Sequence, residues 1–358
     1  MRVALVHDFL TQLGGAERLL EVFHEIFPEA PVFTLVYDEQ STNSKFKGWD
    51  IRPSYLQNFT KLINYKWLLP LMPRAIESFD LTGFDLVLSD SSAFAKGIRV
   101  RKPAVHVCYC HTPTRYLWQE PREYVATQRI PFFLKPLVNI YLMKTLKRWD
   151  FKAAQGPGTL IANSEEVRGR INKYYARDSV VLHPPVDSNF FQPSIKKESY
   201  FLAASRLEPY KRVDLVVDTF NELGLPLKVA GAGSSLKKLK SHAAENIEFL
   251  GRVSDEELRD LYSGARAFIF PALEDAGVMV LESLACGTPV IAYNKGGAVE
   301  FIQDSVNGVL FEEQSVLSLK NALAKFEGLR FSADSLRAGA LPYGKDIFIQ
   351  TIKEILSS

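Results

Sequence analysis

The chain has 358 residues, of which 47% are hydrophobic and 23% charged, enough for two globular domains with full cores. Its three cysteines cannot pair completely and show no zinc-ligand spacing, so a reducing compartment is expected. No apolar run approaches the roughly 20 residues that a bilayer-spanning helix needs. The net charge of +2 hides an asymmetry: residues 1–185 carry 24 Lys and Arg against 18 Asp and Glu, and residues 186–358 carry 19 against 23.

The basic first half predicts an anionic partner, such as a membrane surface or a lipid diphosphate. Nucleic acid is not expected, because the basic residues form no dense stripe. The opening segment MRVALVHDFL is typical of a short strand and lacks the apolar region and cleavage site of a signal peptide. We therefore expect a cytoplasmic protein, peripheral on the inner face of the cytoplasmic membrane.

Short apolar runs alternate with helix-like segments along the whole chain. Continuous apolar strands separated by helices are typical of parallel sheets that are buried on both faces. We therefore predict an α/β protein with two Rossmann-like domains, whose ligands bind at the carboxyl ends of the strands. The runs cover residues 2–9, 30–37, 84–90, 104–110, 158–164 and 179–186 in the first half, and 200–207, 225–233, 247–253, 265–272, 288–294 and 307–312 in the second.

The boundary between the halves is placed in residues 183–199, where three prolines and a charged cluster cannot continue either sheet. The predicted domains are residues 1–186 and 187–340. A final segment, 341–358, contains helical spacing of Phe348, Ile352 and Ile355.

The first strand is followed by Gly14 and Gly15, and a helix is predicted to begin near Ala16. Glycines let the backbone approach a ligand, and a helix start offers N–H donors. A tight turn without a ligand is the alternative. The pattern is not G-x-G-x-x-G, which argues against a dinucleotide dehydrogenase.

Two stretches, 55–75 and 129–152, mix Trp, Tyr and Phe with Lys and Arg. This composition is typical of interfacial helices, in which aromatic side chains anchor in the headgroup region and cations reach toward it. Long buried helices of the first domain are the alternative.

His111 follows a predicted strand and precedes a proline-restricted turn. A histidine at the carboxyl end of a strand could act on a substrate, although a lone histidine can equally be a structural hydrogen-bonding group. Arg115, Tyr116 and Trp118 follow it and could shape an acceptor site, or the aromatic residues could simply pack.

Arg206 ends a strand of the second half, and Lys211 lies at the start of the next helix. Two cations at the carboxyl end of a central strand converge where a diphosphate could bind, with Arg as a bidentate fork and Lys as a mobile point charge. Solvated charges on a loop are the alternative. Arg212 follows Lys211 directly, and the residues alone do not show which of these two cations would bind the diphosphate.

Glu274 and Glu282 lie on either side of a turn that contains Gly277, after the strand-like run 265–270. A strand, a glycine turn and a helix together point backbone N–H groups at an anion. Carboxylates instead accept hydrogen bonds from hydroxyl groups. This combination predicts a ligand with both a diphosphate and sugar hydroxyls, namely a nucleotide-sugar.

The stretch PALEDAGVMVLESLACGTPVI (271–291) resembles the E-x7-E motif of family 4 glycosyltransferases, which are retaining enzymes of GT-B fold. HTPTRYLW (111–118) is most similar to mannosyltransferases that act on bacterial polysaccharide or lipid-linked oligosaccharide chains. The glycine loop, the histidine, the cation pair and the two glutamates occur in the family's order along nearly the whole chain.

The resemblance implies an inter-domain cleft, and a C-terminal helix (341–358) that crosses back to the first domain. It assigns acceptor binding to the first domain and nucleotide-sugar binding to the second. Near the reacting carbon it places His111, with Arg115 and Tyr116 toward the acceptor. The implied donor-binding residues are Gly14, Gly15, Arg206, Lys211, Gly251, Arg252, Val253, Glu274, Gly277, Val278, Met279 and Glu282, of which Arg206, Lys211 and Glu274 also take part in catalysis.

The expected reaction is retaining transfer of a hexose, mannose from GDP-mannose, to a saccharide or polyprenyl-diphosphate-linked acceptor in cell-surface polysaccharide or glycolipid synthesis. No Asp-x-Asp follows a strand, so no metal cofactor is expected. Asp275 and Ala276 depart from the Gly and aromatic residue that usually follow the first Glu, which leaves the donor sugar open. The alternatives are a UDP-sugar-dependent transferase of the same fold, a nucleotide-sugar 2-epimerase and a non-catalytic nucleotide-binding scaffold.

Overall fold

The computed structural model describes residues 1–119, 125, 133 and 135–357, and its named strands form two parallel sheets. One sheet lies in a unit made of Met1–His183 and the residues from Thr351 onward, and the other in Pro184–Gln350. The predicted fold class, an α/β protein with two Rossmann-like domains, is confirmed.

The sheet of the first unit has the order β3-β2-β1-β4-β5-β6-β7. Since the strand order reverses between β1 and β4, the carboxyl ends of these two neighbours open a crevice where ligands of such sheets bind. The strands are β1 (Val3–His7), β2 (Val32–Thr34), β3 (Ile51–Pro53), β4 (Leu86–Ser91), β5 (Val105–Cys110), β6 (Thr159–Ala162) and β7 (Val180–Val181).

Helices alternate with these strands along the first unit, as is typical of parallel sheets. A π-helical segment, Tyr141–Leu146, joins the fourth and fifth of them, and Ala95–Gly97 forms a 3₁₀ turn. The helices are α1 (Gly15–Ile26), α2 (Met72–Glu77), α3 (Arg115–Trp118), α4 (Lys135–Ile140), α5 (Lys147–Ala153) and α6 (Glu165–Tyr175).

The prediction of a long interfacial or buried helix over 55–75 is wrong. The stretch consists of two 3₁₀ turns, Tyr55–Phe59 and Tyr65–Leu71, followed by the short helix α2. Each turn starts at a polar cap, because Ser54 accepts from the Leu56 N–H and Asn64 from the Lys66 N–H. Such caps favour new starts over one continuous helix. In the second stretch, residues 135–153 are helical, whereas 129–132 and 134 lie outside the described residues.

The sheet of the second unit has the order β10-β9-β8-β11-β12-β13, and its crossover point lies between β8 and β11. The strands are β8 (Phe201–Ala204), β9 (Leu227–Ala230), β10 (Ile247–Gly251), β11 (Phe268–Phe270), β12 (Val290–Tyr293) and β13 (Gly308–Phe311). The helices are α7 (Val213–Leu223), α8 (Leu236–His242), α9 (Asp255–Gly264), α10 (Val278–Ala285), α11 (Val316–Glu327) and α12 (Ala333–Ala340). The last helix, α13 (Lys345–Ser357), begins in this unit, and its residues from Thr351 onward belong to the first unit. Short 3₁₀ turns occupy Pro209–Lys211, Gly297–Glu300 and Leu341–Tyr343.

Alternate residues of each central strand enter two apolar clusters, one on each face of the sheet. Phe201 and Ala203 of β8 belong to one cluster, while Leu202 and Ala204 belong to the other. This double burial explains why the strands are continuously apolar in sequence. The predicted terminal helix is confirmed as α13, in which Phe348 and Ile352 are buried.

Candidate active site

The loop that follows β8 carries the two predicted cations of the second unit. Lys211 ends the 3₁₀ turn Pro209–Lys211 and is largely buried, and its Nζ forms an ion pair with Glu274. Arg206 is exposed, and its Nη2 donates to the Tyr210 hydroxyl at 2.9 Å. Because β8 and β11 are neighbours, the turns after them bring Lys211 and Glu274 together at the crossover point.

Arg212 points away from this pair. Its backbone is left-handed, with φ of +53°. Its Nε lies 3.3 Å from Asp214, and its Nη1 donates to Gln314 at 3.2 Å. The structure thus shows what the sequence could not, namely that the two adjacent cations have different partners. Lys211 is the one that lies beside Glu274.

Two glycines after β9 hold the Arg206 loop in place. A Cβ atom on Gly231 would lie 1.8 Å from the Ser205 carbonyl oxygen, and one on Gly233 would lie 2.4 Å from that of Leu207. Only glycine fits so close a backbone approach. These glycines lie at the end of a predicted strand, but their role needed the tertiary structure.

A second glycine pair, not identified from the sequence, supports the Glu274 turn. Gly296 has φ of +78°, and a Cβ atom on it would lie 2.4 Å from the Glu274 carbonyl oxygen. The Gly297 N–H donates to that same oxygen at 2.8 Å. The available sequence signal was a Gly-Gly pair one residue after the predicted strand 288–294.

Gly277 starts α10 with a left-handed backbone, φ +61°, and a Cβ atom on it would lie 3.1 Å from the Ala298 Cα. As a glycine, this cap residue has no side chain that could accept from the first N–H groups of the helix. The first helical residues, Val278 and Met279, therefore present their N–H groups where an anion could bind.

The two predicted glutamates occupy different environments. Glu274 is partly exposed and paired with Lys211, whereas Glu282 is buried inside α10. Glu282 accepts a hydrogen bond from the buried Tyr262 hydroxyl at 3.2 Å. Their spacing of eight residues therefore does not make them a matched pair around one ligand group.

The three consecutive residues 251–253, predicted to bind the donor, lie at the end of β10 and directly after it. Gly251 has φ of +72°, and no atom within 4 Å obstructs its Cβ direction. Its carbonyl accepts from the Gly231 N–H at 2.6 Å. Arg252 is exposed, and Val253 packs on one of the two core clusters.

In the first unit, α1 begins at Gly15, with Gly14 as its cap residue. A Cβ atom on Gly14 would lie 3.0 Å from a carboxylate oxygen of the buried Glu17. A carboxylate at a helix start repels a phosphate but accepts hydrogen bonds from hydroxyls. The geometry therefore favours a hydroxyl-bearing group over an anion beside Gly14.

His111 follows β5, and its Nε2 is bonded to the buried Asp90 carboxylate. The other Asp90 oxygen lies 2.8 Å from Nδ1 of His7, whose Nε2 lies 3.7 Å from Glu17. This cluster lies at the carboxyl ends of β1, β4 and β5. The sequence showed His7 and Asp90 at the ends of predicted strands, 83 positions apart, but could not pair them.

The charges of this cluster oppose the effect of burial on the pKa values of its members. Burial alone would lower the pKa of His7, but Asp90 and Glu17 raise it to about 10. Burial also lowers the pKa of His111, and the Asp90 carboxylate outweighs this and raises it. Burial would raise the pKa of Asp90, yet the two histidines hold it below its usual value.

Two other carboxylates of the first unit, those of Asp8 and Asp150, are occupied by hydrogen bonds and an ion pair within the protein. The Asp8 carboxylate accepts four backbone N–H groups of residues 92–95 at 2.6–2.7 Å. The buried Asp150 carboxylate pairs with Lys96 at 2.7 Å and accepts from the Trp118 Nε1–H at 2.7 Å. Trp118 is therefore a packing and hydrogen-bonding residue, the second of the two predicted alternatives.

Arg115 and Tyr116 form the first turn of α3 and are both half-buried. Tyr116 packs against the apolar core of the first unit. Their assignment to an acceptor stays a prediction.

Parts of the chain are similar to known glycosyltransferases. Residues 186–340 match the family model described as "Glycosyl transferases group 1". An uncharacterized glycosyltransferase of Methanocaldococcus jannaschii is 25% identical over 182 residues, which are 49% of this chain and 52% of that protein. The D-inositol 3-phosphate glycosyltransferase of Segniliparus rotundus is 27% identical over 232 residues (56% and 51%).

A GDP-mannose-dependent alpha-(1-6)-phosphatidylinositol monomannoside mannosyltransferase of Mycobacterium tuberculosis is 29% identical over 174 residues, which are 40% of this chain and 45% of that protein. The chain thus spans about half the length of the curated relatives it matches.

Solved structures share the fold over the full chain. Anabaena HepE in complex with UDP superposes with a TM-score of 0.74 at 18% identity, covering 100% of both chains. A sucrose-phosphate synthase of Thermosynechococcus elongatus superposes with a TM-score of 0.78 at 15% identity, covering 100% of this chain and 98% of that one. Residues 186–340 therefore match the model of the Glycosyl transferases group 1 family, and the chain shares the GT-B fold of these solved structures.

Proposed function

We propose that the chain is a retaining hexosyltransferase, which moves a hexose from a nucleotide-sugar to a saccharide acceptor. The observation that carries this proposal is the ion pair of Lys211 and Glu274 beside the uncapped start of α10. A cation and open N–H groups suit a diphosphate, and a partly exposed carboxylate suits sugar hydroxyls.

In the proposed donor complex, the diphosphate is bound by Arg206, Lys211 and the N–H groups of residues 277–279. These groups stabilise the negative charge that develops on the leaving nucleoside diphosphate. Positive charge from side chains and a helix start supplies this stabilisation, so the proposal includes no metal cofactor.

Glu274 binds hydroxyls of the transferred hexose, and Glu282 binds the ribose. Diphosphate binding draws Lys211 away from Glu274, since one ammonium group cannot fully satisfy both anions. The freed carboxylate then accepts hydrogen bonds from the sugar. His111 of the first unit contacts the transferred sugar near its reacting carbon.

We propose GDP-mannose as the donor. Support comes from the resemblance of HTPTRYLW to mannosyltransferases and from curated relatives named as GDP-mannose-dependent. A UDP-sugar is the second candidate, because the HepE structures contain UDP or UDP-glucose. Asp275 and Ala276, which depart from the usual motif, lie next to the sugar-binding Glu274.

The proposed acceptor is lipid-linked and is reached at an anionic membrane surface. Exposed apolar side chains support this, foremost Leu62, 83% exposed, and Trp67, 56% exposed. Lys61 and Lys66 are exposed beside them. None of the helices in the described part of the chain combines the length and apolar character needed to cross a bilayer.

A panel of GDP-, UDP- and ADP-sugars tests the function, first by thermal shift and then by hydrolysis and transfer assays. Proton NMR of the product reports whether the anomeric configuration is retained. Stabilisation by GDP-mannose and transfer with retention are expected. Turnover with UDP-glucose but not GDP-mannose would remove the donor assignment. Binding without turnover would favour a scaffold, and a free 2-epimeric sugar product would favour the epimerase.

A further inference from the structure

A series of buried side chains, each in contact with the next, begins at the His111 ring. It runs from His111 Nε2 to the Asp90 carboxylate, from Asp90 to His7 Nδ1 at 2.8 Å, and from His7 Nε2 to Glu17 at 3.7 Å. We propose that Asp90 and His7 are positioning residues, which hold the His111 ring with Nε2–H turned inward and Nδ1 presented to the transferred sugar. This inference rests on the proposed role of His111 in transfer.

The strand register builds this arrangement. His7 and Asp90 are directly paired residues of β1 and β4, and Ser91 is paired with Cys110, the residue before His111. The His111 N–H also donates to the Ser91 carbonyl at 2.9 Å, which fixes the backbone of the first residue after β5. Three adjacent strand ends therefore bring these side chains together.

The chemistry of Asp90 sets the tautomer. An ionised carboxylate only accepts hydrogen bonds, so both ring nitrogens that contact it must carry a proton. When neutral, His111 is then protonated at Nε2 and has its lone pair at Nδ1. Among the residues that the structure describes, none is bonded to His111 Nδ1. That nitrogen is left to accept a hydrogen bond from a hydroxyl group, or to donate one when the ring is charged.

Charged and polar groups of β1, α1, β4 and β5 surround this histidine. Asp8 is occupied by four backbone N–H groups, and Glu17 faces His7, so Asp90 is the carboxylate that contacts the His111 ring. Removing the Asp90 charge should therefore lower the pKa of His111 as well as free its tautomer. The groups are His7 of β1, Asp8 after β1, Glu17 of α1, Asp90 of β4 and Tyr109 of β5.

A matched control lies in the same two strands. Ser89 of β4 is bonded to the buried His106 of β5 at 2.8 Å, away from the strand ends. Burial lowers the pKa of His106 to about 3, so this histidine stays neutral. Ser89→Ala thus disturbs a buried histidine contact between β4 and β5 and leaves Asp90 and His111 in place.

The first arm of the experiment needs no substrate. The whole chain contains only six histidines, so their ring nitrogens can be followed in ¹⁵N-histidine-labelled protein by long-range ¹H–¹⁵N NMR. For wild type we expect His111 to be protonated at Nε2 at every pH at which it is neutral. Asp90→Asn should lower the His111 pKa by about one unit or more. His7→Gln should instead raise the His111 pKa slightly, because it removes a nearby positive charge, and Ser89→Ala should not shift it.

The second arm measures transfer against pH with the same variants. Asp90→Asn should reduce kcat by about tenfold or more at neutral pH and displace the pH profile, with a smaller change in the donor KM. Asp90→Glu, which keeps the charge, should restore part of the rate. Ser89→Ala should retain the wild-type profile.

Two results would overturn the positioning role. One is a wild-type His111 that exchanges tautomers freely or titrates identically in Asp90→Asn. The other is an Asp90→Asn enzyme with a wild-type pH profile. If wild type transferred no sugar from any donor, the proposed function would fail, and the NMR arm would still decide whether Asp90 fixes the ring.

Discussion

At the scale of single residues, the clearest case is the contrast between Lys211 and its neighbour Arg212. Both are cations after β8, but only Lys211 faces Glu274. We predict that Lys211→Ala weakens nucleoside diphosphate binding by about 2–4 kcal/mol, since it removes a charge-assisted contact in a largely buried site. Titration calorimetry with GDP and UDP measures this change.

Arg212→Ala is the matched control, because it removes the same charge from the next position. Arg212 contacts only exposed or partly exposed groups in the part of the chain that the structure describes. Its loss should alter nucleotide affinity by less than about 1 kcal/mol. Equal losses in the two variants would show that the diphosphate is bound by general positive charge and not by Lys211.

Because Glu274 and Glu282 have different surroundings, we predict that their substitutions have different effects. Glu274→Gln removes the carboxylate that competes for Lys211, so nucleoside diphosphate affinity should stay the same or rise while transfer falls about 10²-fold. Glu282→Gln weakens a buried hydrogen bond with Tyr262 and should lower both nucleotide affinity and stability, the latter by about 1–3 kcal/mol. Calorimetry, transfer assays and urea unfolding separate these profiles, and identical profiles would exclude this division of roles.

His7 gives a prediction about pH. Its pKa is raised to about 10 in the folded protein, so its charge contributes stability that is fully present below its unfolded pKa near 6.5. This contribution, a few kcal/mol, is lost as the pH rises from 6.5 through 10. Urea midpoints between pH 6 and pH 10 should fall for wild type and change less for His7→Gln. Parallel curves would show that His7 does not titrate in this cluster.

At the scale of elements, a glycine lets the loop after β12 pack closely against the loop after β11. Gly296 leaves no room for a Cβ atom against the Glu274 carbonyl and has a left-handed backbone. Gly296→Ala should therefore displace the Glu274 turn, with a loss of about 1–3 kcal/mol in stability and a larger relative loss of transfer than of nucleotide binding.

Gly339→Ala is the control, because this glycine lies in α12 with open space around its Cβ position. The change should be neutral or stabilising by up to about 1 kcal/mol. Urea unfolding and donor assays compare the two variants. A Gly296→Ala enzyme with wild-type stability and transfer would exclude a supporting role for this contact.

The elements differ in how much the sequence determines them. The central strands were predictable because burial on both faces makes them continuously apolar, as β8 and β12 illustrate. The start of α10 was predictable because a local glycine turn marks it. The turns at 55–71 were not, since their aromatic and cationic composition resembles that of an interfacial helix, while local caps at Ser54 and Asn64 decide the backbone.

The residues of the candidate site also differ in how far the sequence alone predicts them. The positions of Arg206, Lys211 and Glu274 follow from strand ends, which sequence patterns locate. The pairing of His7 with Asp90 and the packing of Gly296 on the Glu274 turn depend on which strands are neighbours and on their register. Residues 83 positions apart carry no local signal of such contacts.

At the scale of the whole molecule, the proposed membrane attachment depends on charge and exposed apolar groups together. The first half of the chain has an excess of six basic residues, and Leu62 and Trp67 are exposed beside Lys61 and Lys66. Each Lys near an anionic leaflet contributes about 1 kcal/mol, so replacing both with Gln should weaken binding to anionic vesicles roughly 30-fold.

Vesicle sedimentation at low and high salt measures this attachment. Wild type should bind anionic vesicles at low salt, bind neutral ones far more weakly, and dissociate as salt screens the charges. Leu62→Ser should weaken binding further at every salt concentration, because it removes exposed apolar surface. Leu317→Ser is the matched control, since Leu317 is similarly exposed, but on α11 of the acidic half. Failure of wild type to bind at low salt, or an equal effect of both leucine variants, would exclude residues 61–67 as the attachment surface.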